Sequence, residues 1–171
     1  KGMSEALAIA ESYAAATRVA VQERVAAASL DAEQHAAHGY AWIETSVEAL
    51  RALLAWGEKQ SGEAEALVVA IGTSETLAQL AGGLPMGQNE FVRPADFGLE
   101  SHVPALMAAA QGNSATNRAR LVELLAEGAT ISDRFDDELL DTIRDQYRRF
   151  TDDRILPQAH GWHLANALIP D

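Results

Sequence analysis

Histidines three residues apart, His35 and His38 in His-Ala-Ala-His and His160 and His163 in His-Gly-Trp-His, are the pairs whose type and spacing suit metal ligation. On a helix, positions i and i+3 share a face, so His35 and His38 can in principle grip one transition-metal ion. A di-iron bundle asks for Glu three residues before His, and no His in this chain has one. His160 and His163 flank Gly161-Trp162 in a stretch that reads as a loop, where packing or helix capping is favoured over catalysis.

Carboxylates also cluster, at Asp136-Asp137-Glu138 and Asp152-Asp153. The first cluster falls at a helix start, where negative charge offsets the positive end of the dipole. The second is within reach of Arg148, Arg149 and Arg154 on a solvated face. The sequence has no Gly-x-Gly-x-x-Gly, no Gly-Lys-Ser/Thr and no Gly-x-Ser-x-Gly, so it offers neither a phosphate cradle nor a nucleophile elbow. Ser46 and Ser74 read as isolated helical serines. What remains is a Gly- and Pro-rich stretch in which the polar groups of Gln88, Asn89, Glu90 and Arg93 are expected to converge on a rigid backbone, the best site candidate by residue type. The favoured reading of Gln88, Glu90, Arg93 and Asp96 is a structural loop, with Glu90 and Arg93 tying residues 82–98 to the helices by an ion pair. No catalytic residue, cofactor contact or metal ligand is assigned.

The elements that hold these residues are helical. From Ser4 to about Ala28, Leu7, Ala10, Ala14, Thr17, Val21 and Val25 recur at spacings of three and four, with Ser4 as the expected cap. A second helix, capped by Asp31 and running to about Gly57, carries two adjacent apolar rows. One is Tyr40, Ile43, Val47, Leu50 and Leu54; the other is Trp42, Thr45, Ala49, Leu53 and Trp56. Together they predict a broad buried face. A third helix spans Ser61 to Ala81 and stops at Gly82-Gly83. After the loop, Pro104 opens a short helix, Asn113 or Ser114 a fifth that Gly128 ends, and Asp136 or Asp137 a sixth, reaching about Ile155. The expected fold is an all-α antiparallel bundle of about six helices.

Composition agrees. The chain has 171 residues, 48% of them hydrophobic, with few aromatics and no cysteine, which suits one helical core and a cytoplasmic location without disulfides. A net charge of −12 opposes nucleic-acid and anionic membrane partners, and no apolar run nears the ~20 residues that span a bilayer. Lys1-Gly2 before Met3 reads as the remnant of a tag. At the other end, Pro170-Asp171 supplies a proline and an acid where a further helix would begin, so a fragment of a longer protein is expected.

The terminal residues carry a resemblance. Phe150, Asp153, Ile155 and Pro157 match a Phe-x-x-Asp/Glu-x-Ile/Val-x-Pro pattern that closes the first helix of the flavin-dependent acyl-CoA dehydrogenases. The run His160-Gly-Trp162-His163-Leu-x-x-x-Leu168-Ile169-Pro170 is similar to the following segment in a branch of that family with a long helical extension before the dehydrogenase domain. The resemblance implies that residues 4–130 are the extension bundle and 131–171 the start of the dehydrogenase N-terminal helical domain. It implies a parent enzyme that binds FAD, oxidises an acyl-CoA thioester and passes electrons to electron-transfer flavoprotein. The family's catalytic Glu, its flavin contacts and most CoA contacts lie in later domains, so none is carried over. This chain alone is expected to be inactive and without cofactor, its partner being the remainder of the dehydrogenase chain.

Trp162 and His163 are the candidates for the edge of the acyl-CoA pocket. The second helix also resembles a helix of the family's C-terminal domain, through which dimers pair into tetramers. That likeness implies a homodimeric parent whose extension covers the pairing face. The alternative is an autonomous helical module that binds a partner protein through its apolar rows.

Overall fold

A computed structural model describes residues 2–134 and 137–169. The chain divides into two compact units, Lys1–Ile131 and Ser132–Asp171. The first contains α1 (Gly2–Ala27), α2 (Gln34–Gly57), α3 (Glu63–Gly82), a small hairpin of β1 (Leu84–Pro85) and β2 (Phe91–Val92), α4 (Val103–Ala109) and α5 (Ala115–Ala126). Two 3-10 turns, Pro94–Phe97 and Glu100–His102, lead from the hairpin into α4. The all-α expectation is borne out, since the only sheet among the described residues is the two-stranded hairpin. Short links between α1, α2 and α3 make them antiparallel neighbours.

The caps differ from expectation. Helix α1 is already helical at Gly2, ahead of Ser4. The Asp31 cap gives way to a turn in which Ser29 Oγ accepts the Ala32 N–H at 3.1 Å, and α2 starts at Gln34 after an N-cap Glu33 that makes no side-chain cap bond. Ser114 does cap α5, its Oγ accepting the Asn117 N–H at 3.1 Å.

Small residues set how closely the helices approach. Ala6, Ala10 and Ala14 of α1 share one buried cluster with Ile43, Val47, Leu50 and Leu54 of α2 and Val69, Leu77 and Leu80 of α3, and Thr17 is buried as well. Full burial of one such leucine or isoleucine is worth about 1.5–3 kcal/mol. Tyr13 is only 1% exposed, and burial pushes its phenol up to about 12.

The second row of α2 departs from expectation. Ile43, Val47, Leu50 and Leu54 are buried, but Trp42, Thr45 and Ala49 are exposed and Leu53 and Trp56 half-buried. The two rows together are wider than the surface that α1 and α3 cover. Trp42 instead donates its indole N–H to His38 Nε2 on its own helix at 2.8 Å.

The second unit holds α6 (Glu138–Phe150), a π turn at Thr151–Ile155 and α7 (Leu156–Ala165). Asp137 caps α6, its Oδ1 accepting the N–H groups of Leu139 at 2.9 Å and Leu140 at 3.1 Å. Asp136, the other cap considered, and Pro170 lie outside the described residues. The stretch read as a His- and Trp-containing loop is helical, which corrects that reading. Helical backbone runs without a break from α6 through the π turn into α7, Pro157 following directly on that widened turn, and Asn166 ends the helix in the left-handed conformation at φ 50°. Among the described residues no helix is long and apolar enough to cross a membrane.

Candidate functional site

Residues 82–98 leave α3 through Gly83, whose φ of 138° is open to glycine and strained for any other residue. The hairpin pairs Leu84 with Val92 and Pro85 with Phe91, and the Met86 N–H closes its tip on the Glu90 carbonyl at 2.8 Å. Leu84, Met86, Val92 and Phe97 point inward and are buried. Gly39 of α2 makes room for this seat: a Cβ there would lie 2.6 Å from Val92 Cγ2.

The four polar residues of the loop do not converge. Gln88 is exposed at the tip. Glu90 turns to α2, where its Oε1 lies 3.2 Å from His35 Nδ1, with both side chains about half exposed. The Arg93 guanidinium sits over the Phe91 ring, 5.1 Å from its centroid. Arg93 and Asp96 close the next turn reciprocally: the Arg93 N–H donates to Asp96 Oδ2 at 2.6 Å, and the Asp96 N–H to the Arg93 carbonyl at 3.0 Å. The loop is fastened to the bundle through Glu90, but the partner is His35, 55 residues earlier. Nothing in the spacing of residues 88–96 pointed to that imidazole.

The histidine pair is thus engaged in local bonds, His35 with Glu90 and His38 with Trp42. Among the described residues no group of three or more His, Cys, Asp or Glu side chains could hold a metal ion.

In the second unit Trp162 is half-buried and His163 exposed, both on α7. The charged face of α6 is closely paired. Asp133 accepts from Arg148 at 2.6 Å, and Asp145 from Arg134 and Arg144, each at 2.9 Å. These arginine bonds hold the Asp133 and Asp145 carboxyls below the usual carboxylate range. Arg148, expected to face Asp152 or Asp153, is therefore occupied by Asp133. The opposite face, Leu139, Leu140, Ile143, Tyr147 and Phe150, is exposed, at 43–71%.

The geometry is that of a scaffold whose polar groups are spent on holding helices and turns. Comparison with known proteins bears out the resemblance to the acyl-CoA dehydrogenases to which the terminal motif pointed. No protein-family profile matches the chain. The chain is similar to (2S)-methylsuccinyl-CoA dehydrogenase from Cereibacter sphaeroides, with 44% identity over 164 residues, covering 90% of this chain and 30% of the relative. It therefore spans less than a third of the length of the relative it matches.

Proposed function

We propose that this chain is the non-catalytic N-terminal helical part of a flavin-dependent acyl-CoA dehydrogenase that oxidises (2S)-methylsuccinyl-CoA to mesaconyl-CoA in the ethylmalonyl-CoA pathway. Residues 4–130 are its helical extension and 131–171 the start of its N-terminal helical domain. The observation that carries this reading is the 44% identity along nearly all of the chain with a protein of that name, confined to 30% of that protein.

The parent enzyme holds FAD outside this chain. When bound there, FAD would supply the hydride acceptor for α,β-dehydrogenation and electron-transfer flavoprotein would be the electron acceptor; no residue of this chain is assigned to hold either. The role left to these residues is structural. The exposed apolar side of α6 supports this, because an amphipathic helix with an uncovered apolar stripe is built to be packed upon. Trp162 and His163 stand at the edge of the acyl-CoA pocket that the remainder of the chain completes.

The extension covers a subunit interface, and the exposed row Trp42, Thr45 and Ala49 is the part of α2 suited to it. In the homodimeric parent this face replaces the contact that a second dimer would make. Two measurements test the reading. The purified 171-residue chain, mixed with FAD and an acyl-CoA, stays colourless and inactive; a stoichiometric flavin spectrum would overturn the division of labour. The complete enzyme scatters light as a dimer, and a tetramer would remove the interface role.

A further inference from the structure

Trp42 follows His38 by four residues on α2, so the two side chains lie on one face of the helix, and both are exposed. The indole N–H donates to His38 Nε2 at 2.8 Å, with the ring planes 63° apart. This bond depends on the charge of the imidazole. An indole nitrogen only donates, and a neutral imidazole accepts only at the nitrogen that bears no hydrogen, so His38 in this bond carries its proton on Nδ1. A second proton goes to Nε2, the atom that accepts the indole, and two donors then face each other. The added charge also arrives at the N–H edge of the indole, the positive rim of its ring.

His35, one turn earlier, answers with the opposite sign. Its Nδ1 lies 3.2 Å from Glu90 Oε1, and a carboxylate accepts more strongly from a charged imidazole than from a neutral one. The charged and titratable groups around His38, in the shallow cleft it shares with that pair, are Asp31 of the turn before α2, His35 of α2 and Glu90 of the hairpin. The Trp42 backbone is held separately, its carbonyl accepting from Ser46 Oγ at 2.8 Å, so loss of the imidazole bond frees the side chain alone.

We propose that His38 and Trp42 form a proton-operated latch: the neutral imidazole holds the indole along α2, and protonation of His38 releases it. Trp42 belongs to the exposed row assigned above to a subunit interface, so protonation changes what that face presents. This consequence rests on the proposed function, whereas the latch itself uses only residues of α2.

The test is a pH titration of the isotope-labelled 171-residue chain by NMR, from about pH 8 to about pH 5, the span in which imidazoles ordinarily titrate. The Trp42 indole N–H resonance moves with the same midpoint as the His38 ring protons, and the NOE between the two rings is lost at the acid end. In His38→Gln, whose amide oxygen accepts the indole throughout, the Trp42 resonance stays still. In His35→Gln and in Glu90→Gln it follows His38 as before. An indole resonance that stays still while His38 titrates, or one that still moves in His38→Gln, would overturn the latch. Light scattering of the complete enzyme reads the interface separately: a tetramer there removes the surface the latch would serve and leaves these spectra unchanged.

Discussion

At the scale of single residues, the closest approaches are made where a Cβ is absent. A methyl group on Gly112 would lie 2.4 Å from the Ala70 carbonyl oxygen and 2.8 Å from Ser74 Oγ, so Gly112→Ala must push the turn off α3 and break its bond to Ser74. We expect a loss of about 1–3 kcal/mol, read from urea unfolding of the purified chain. Tyr13 gives a different test. Its folded-state pKa is raised to about 12 by burial, above the unfolded value of 10.0, so its contribution is fully present below pH 10.0 and is lost as pH rises through about 12. Tyr13→Phe, which keeps the ring and removes the titrating hydroxyl, should flatten the alkaline limb of a stability-versus-pH curve between those values. In the second unit, Asp137→Ala removes two N-terminal cap bonds and should cost helix α6 about 1 kcal/mol, visible as fraying of the Leu139 and Leu140 amides by NMR.

At the scale of elements, α5 has no fully buried residue and is fastened to α3 by a fork in which Arg120 Nε and Nη2 each donate to Glu63 at 2.9 Å. The Arg120 hydrogen bonds hold the Glu63 carboxyl below its ordinary pKa. With the folded-state value depressed, the contribution is present above the ordinary Glu range and lost as pH falls through the lowered value. Acidification should therefore loosen α5 before α1–α3, followed by its backbone chemical shifts, and Glu63→Gln should show that looseness already at neutral pH. The sequence made α1, α2, α3 and α5 legible because three- and four-residue apolar spacing is a local signal. It also showed that residues 82–98 pack down on the bundle. It did not reveal which row of α2 stays exposed, because that depends on how much surface two neighbours can cover. Helix α7 was misread because Pro157 and Gly161 look like breakers, although the π turn before Pro157 carries the helix past it. The partners His35–Glu90 and Ser74–Gly112, 55 and 38 residues apart, were beyond the reach of any spacing argument.

At the scale of the molecule, the buried side chains decide what can stand alone. The core cluster draws its members from Ala6 to Leu106, all within the first unit, whereas α6, the π turn and α7 have no buried residue among those described. A polypeptide of residues 1–131 should therefore keep a cooperative thermal transition. A polypeptide of residues 132–171 should show little cooperative unfolding, because helices this short are marginal in water without packing and its charge pairs are exposed. Calorimetry of the two polypeptides checks both statements. The comparison also separates two sources of order in the second unit. If residues 132–171 melt cooperatively alone, the Asp133, Asp145 and arginine network suffices to hold them. If they do not, the exposed Leu140, Ile143, Tyr147 and Phe150 stripe must be covered for the helices to persist, and adding the further domains that the proposed function calls for should restore a transition.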